Sequence, residues 1–113
     1  MIRRFKPSRP DPARDPQYLS WIRTLPCVVC LQWGFGIRGY LGLIEAAHVG
    51  QRGLSQKCPD RETLPLCVFH HRLGPNAVHV LGRNFWTRWK LDRYELIAEF
   101  NRRYDKGERK DAA

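Results

Sequence analysis

The chain has 113 residues, with 20 Lys and Arg against 11 Asp and Glu, a formal net charge of +9. That length fits one domain, which buries only roughly 65% of the surface of its unfolded chain, and no apolar run is long enough to span a membrane. The start, "MIRRFKPSRPDPARDP", is charged and lacks the apolar stretch of a secretory signal, so a cytoplasmic location is expected and the four cysteines read as metal ligands rather than disulfides. The cations are mostly arginine, which suits bidentate phosphate recognition and makes nucleic acid the first candidate partner.

In chain order, residues 1–15 are rich in Arg and Pro and read as a basic flexible arm. Asp15-Pro16 resembles an N-cap followed by proline at the first helical position, and Leu19, Ile22 and Leu25 share one face. A helix over 16–25, ended by Pro26, follows from this pattern. Cys27-x-x-Cys30 is expected at a tight turn, and the glycines at 34, 36, 39 and 42 continue it as a turn or hairpin. "LIEAAHVG" reads as a strand of about six residues ending at Gly50. A polar loop leads to a second strand, "TLPLC", and a helix is expected from near Cys67 to Gly74-Pro75. Residues 82–90 suit a short helix. Asp92, with Glu95 three positions on, caps a last helix whose stripe is Leu96, Ile97, Phe100 and Tyr104. Trp33, Phe35, Phe85, Trp86 and Trp89 are taken as core. The domain then spans 16–104, and 105–113 is a charged tail.

Cys27 and Cys30 form half of a zinc knuckle. Cys67 and His70, three apart at a helix start, supply the other half and close a tetrahedral structural site; Cys58 is the alternative to His70. Adjacent helical residues diverge by about 100°. If His70 faces the zinc, His71 faces elsewhere. Two antiparallel strands followed by a helix bring His48, on the first strand, across from His71. A strand histidine facing a helix-held metal is a hydrolytic arrangement, in which the histidine takes a proton from water and the metal polarises a phosphodiester. Glu45 falls on the opposite pleat from His48 and is left out.

The run C-x2-C, AAH, D-x-x-x-L-P-L-C-x-x-H-H over residues 27–80 resembles the HNH endonucleases, also called ββα-metal or His-Me finger nucleases. It is most similar to the small phage and prophage proteins of the Ref-like, recombination-associated branch. The resemblance implies an α+β fold: a small ββα-metal core with a structural zinc clip and flanking helices. It makes His48 the general base, His71 a ligand of the catalytic divalent ion (Mg²⁺, Mn²⁺ or Zn²⁺), and Cys27, Cys30, Cys67 and His70 the zinc clip. The middle motif position, often Asn, is matched best by Asp60, which either orients the base or ligates the ion. Relatives often carry a ligand just before the base, where this chain has Ala47. His79, folding back in "NAVHV", is the candidate to fill that gap.

Arg52, Lys57, Arg61 and Arg72 cluster around this site as expected contacts to the phosphates flanking a cut, with Arg83, Arg88, Lys90 and Arg93 extending the track. The expected activity is phosphodiester hydrolysis in double- or single-stranded DNA, with a recombination or phage protein as a further partner. The rival is a non-catalytic zinc-stabilised DNA-binding module. A redox dithiol protein would leave the histidine pattern unexplained.

Overall fold

A computed structural model describes residues 12–34, 43–50 and 58–108. Asp15 caps α1 (Pro16–Ile22), its side chain accepting from the Tyr18 N–H at 3.1 Å. The helix stops at Ile22 rather than at residue 25. Residues 23–25 continue only as turns, where the Thr24 hydroxyl donates to the Trp21 carbonyl and Pro26 disfavours a helical Leu25. Cys27 is the N-cap of α2 (Val28–Trp33), which Gly34 ends in the left-handed region at φ +78°. The Cys-x-x-Cys pair thus lies on a helical turn, and residues 35–42 of the expected hairpin, Phe35 among them, lie outside the described residues.

The strands β1 (Ile44–His48) and β2 (Thr63–Cys67) pair antiparallel, Ile44 opposite Cys67 and His48 opposite Thr63. The first is shorter than its sequence suggests, although Val49 N–H still donates to the Glu62 carbonyl at 3.0 Å. Bonds at Val49–Glu62 and Leu43–Val68 make odd-numbered β1 positions the hydrogen-bonded pairs. Pro65, opposite Ala46, therefore turns its missing donor away from the partner strand and interrupts no rung. All of β2 is buried because α1, α2 and the last helix pack on it.

Past β2 the chain turns through a π-helical segment at Phe69–Leu73, closed by Gly74 N–H to the Phe69 carbonyl at 2.8 Å. A Cβ on Gly74 would stand 2.6 Å from that carbonyl oxygen. Gly74→Ala is thus expected to lower stability by about 1–3 kcal/mol. A thermal denaturation midpoint equal to wild type would contradict this.

Three helices follow: α3 (Val78–Leu81), α4 (Asn84–Trp89) and α5 (Arg93–Asp105). The first was not legible in the sequence. Gly82, at φ +57°, separates it from the second. Asp92 caps α5 through Tyr94 N–H and Glu95 N–H. The core joins Tyr18, Trp21 and Ile22 of α1 to Ile97, Phe100 and Tyr104 of α5 across β2, with Phe85 and Trp89 of α4 at the other end. Trp33 is a correction to the expected core: it is 41% exposed and held by its indole N–H on the Trp89 carbonyl. Trp86 is only partly buried. The architecture is a small α+β arrangement of helices around a two-stranded sheet. Among the described residues no helix is long and apolar enough to cross a membrane.

Residues 13–15 are bonded to residues 58–60, and Asp105 closes α5 and pairs with Arg61 at 3.1 Å. Residues 1–11 and 109–113 lie outside the described part.

Candidate metal centre and histidine cleft

Four buried side chains converge where α2, the end of β2 and the π turn meet. They are Cys27, Cys30, Cys67 and His70, with all ligand atoms within 4.8 Å of one another. Cys30 Sγ lies 3.8 Å from Cys67 Sγ, and His70 Nδ1 lies 3.3–3.8 Å from the three sulfurs. Sulfurs about 2.3 Å from a tetrahedral zinc ion stand about 3.8 Å apart, and sulfur to nitrogen about 3.6 Å. The spacing therefore fits, and this cluster could hold a metal ion such as zinc. A hydrogen bond to the Cys67 thiol, then burial, pushes the Cys27 thiol far up from its ordinary range. Three sulfurs in a dry pocket release protons only against a cation. Cys58 stands outside the cluster, its thiol near the carbonyls of Pro59 and Glu62.

His71 leaves the π turn in another direction, as adjacent helical residues must. With His48 and His79 it lines a cleft of about 550 Å³. Its other walls include Ala46, Cys58, Trp86, Arg83 and Arg93, and among the described residues no carboxylate lines it. The rings of His71 and His79 meet edge to face with centroids 4.6 Å apart. Arg93 donates to the Val49 carbonyl at 2.9 Å and so braces the end of β1.

Each of two cleft histidines is held by a carboxylate. His48 Nε2 lies 2.8 Å from Asp60 Oδ1, and His71 Nδ1 lies 2.7 Å from Glu45 Oε1. An ionised carboxylate only accepts, so His48 carries its proton on Nε2 and His71 on Nδ1. The free nitrogens are then Nδ1 of His48 and Nε2 of His71. Hydrogen bonds from Arg72 and, less strongly, His71 hold Glu45 down at about 2, against the opposing effect of burial. Burial lowers His71 from its usual value despite Glu45. A neutral imidazole whose second nitrogen is fixed by a carboxylate is a well-oriented ligand.

Asp60 is 3% exposed. Burial alone would raise its carboxyl, but the hydrogen bonds from His48 and the Asp15 N–H, with the Arg14 cation, outweigh this and leave it below its ordinary 3.8. A depressed carboxyl stabilises the fold above its unfolded-state value, and that contribution drains as pH falls through the folded-state value. Asp60→Asn is expected to lose about 2 kcal/mol near neutral pH, and the gap to wild type should close below the ordinary carboxylate range. Urea denaturation of both proteins across pH checks this; a gap independent of pH would contradict it.

No protein-family model, curated protein or solved structure matches the chain.

Several sequence expectations change. Arg61 is drawn into the fold. Its guanidinium lies 4.8 Å over both the Tyr18 and Tyr104 rings and pairs with Asp15 and Asp105. Arg72 is engaged by both oxygens of Glu45. Arg52 and Lys57 lie outside the described residues. Ala47 is fully buried in the core, so a longer side chain there would point away from the cleft. Pleat parity places Glu45 away from His48, yet it reaches the turn carrying His71. The pairing of Ile44 with Cys67 carries the signal for that contact, since it sets the start of β1 beside the start of that turn. Among the described residues, only the Cys₃His group brings three or more ligand atoms within reach of one ion; His71 and His79 have no third partner there.

Proposed function

We propose that the chain is a metal-dependent DNA endonuclease of the HNH type, phage or prophage derived and acting inside the cell, with its ββα-metal element formed by β1, β2 and the π turn. The observation that carries this is His48, held 2.8 Å from the buried Asp60 in a cleft that also receives His71 and His79. Asp60 is assigned to orienting the base, since its oxygens accept from His48, Arg14 and the Asp15 N–H. With its proton parked on Nε2, His48 accepts a proton from the attacking water at Nδ1. His71, steadied by Glu45, and His79 would hold the catalytic ion. That ion, Mg²⁺, Mn²⁺ or Zn²⁺, supplies Lewis-acid polarisation of the phosphate and charge neutralisation at the leaving oxygen. Arg83 and Arg93 make the cleft cationic and suit a phosphodiester. Zinc at the Cys₃His cluster braces the fold and does no chemistry.

A second reading, a zinc-stabilised DNA-binding module without activity, is favoured by the two-histidine ligand set. Plasmid cleavage with Mg²⁺, Mn²⁺ or EDTA separates the two. Metal-dependent cutting supports the endonuclease, while DNA retardation without cutting under any ion supports the module.

A further inference from the structure

Arg14 belongs to the segment that the sequence presents as a free basic arm, yet its guanidinium is turned into the fold. Nη1 donates to Asp60 Oδ1 at 2.9 Å and Nη2 to the Cys58 carbonyl at 2.8 Å. The backbone on either side reinforces it. Asp15 N–H donates to Asp60 Oδ2 at 2.7 Å, and Asp60 N–H donates to the Ala13 carbonyl at 2.8 Å. Residues 13–15 thus strap down the turn that carries Asp60. Arg14 and His48 share one carboxylate oxygen, Oδ1. A carboxylate with a single bond turns freely about Cβ–Cγ. This one is fixed at both oxygens before His48 reaches it, so its lone pair is aimed at Nε2.

We propose that Arg14 is a positioning residue for His48, locking Asp60 so that the imidazole keeps its proton on Nε2 and leaves Nδ1 free. The effect on cleavage rests on the endonuclease reading; the effect on the imidazole does not. Among the described residues, the other charged or titratable groups near His48 include Asp15 on the strap, Glu62 beside Gly50, and Cys58, His71, His79, Arg83 and Arg93 lining the same cleft. Among the described residues, Asp60 alone is hydrogen-bonded to the ring. An arginine that merely contacted DNA would leave the ring untouched.

The test uses the full metal-loaded chain with ¹⁵N-labelled histidine, as wild type, Arg14→Gln and Arg14→Lys. Ring-nitrogen shifts are read at a pH that keeps the imidazoles neutral, beside DNA retardation and plasmid cleavage. In wild type the two His48 nitrogens should be well separated, with Nε2 protonated. In Arg14→Gln they should move toward each other as both tautomers populate, while the His70 signals stay in place. Cleavage at saturating DNA should fall ~10-fold or more with little change in affinity. Arg14→Lys keeps the cation without spanning both acceptors and should fall between. Wild-type His48 shifts in Arg14→Gln, with weakened DNA binding, would overturn the proposal. Shifts that move as expected in a protein that never cuts DNA would uphold the strap and sink the endonuclease reading. If Arg14→Gln does not fold, Arg14→Lys decides: ring shifts identical to wild type overturn the proposal.

Discussion

Stripping the metal-loaded protein with a strong chelator, or replacing Cys30 by serine, is expected to unfold the domain. The four ligands sit on α2, the end of β2 and the π turn, so one ion would join segments 37 to 43 residues apart in sequence. A structural zinc site contributes on the order of 10 kcal/mol. The whole stability of a small domain is about 5–15 kcal/mol. Among the described residues the sheet has two strands, and little else ties α2 to the π turn. Cys58→Ser is the control. That thiol is outside the cluster and lies 3.7 and 3.9 Å from the carbonyls of Pro59 and Glu62, so its replacement should be mild. Thermal melts followed by circular dichroism, with thiol accessibility as a second probe, check both arms. A chelated protein that melts at the wild-type temperature with its cysteines still protected would show that the cluster is only a group of packed thiols.

His48→Ala should remove cleavage and leave the fold intact. Its side chain is 37% exposed and, among the described residues, its ring is hydrogen-bonded to Asp60 alone, so removing it opens no buried cavity. As a general base it would account for about 10²–10⁴-fold in rate. DNA affinity should hardly change, since the cleft cations Arg83 and Arg93 remain. Turnover and retardation measured side by side give the answer. A variant that still cuts within a few-fold of wild type would exclude His48 as the base. His71→Ala offers a contrast: it should lower activity in a way that extra divalent ion partly restores, because the lesion would then lie in ion affinity.

Much of the local structure is legible in the sequence. "TLPLC" becomes a strand over just those residues, Asp15 and Asp92 cap helices, and the Cys-x-x-Cys and Cys-x-x-His spacings converge on one buried cluster. Each rests on rules that act over a few residues: capping, the turn-forming of glycine and proline, and ligands three apart on one helical turn. The divergence of His70 and His71 is of the same kind. Bonds between distant segments were not legible. Arg14 holds Asp60 across 46 positions, and Glu45 meets His71 across 26. Arg61 looked like a phosphate contact in one dimension and is stacked on two tyrosines in three. Which residues could ligate, cap and pack is readable along the chain, because those properties belong to the side chain and its near neighbours. Which carboxylate holds which histidine, and which arginines face the cleft, depends on contacts between distant segments. Those partners are chosen when the antiparallel pairing of β1 with β2 sets one end of β1 beside the turn of Asp60 and the other beside the turn of His71.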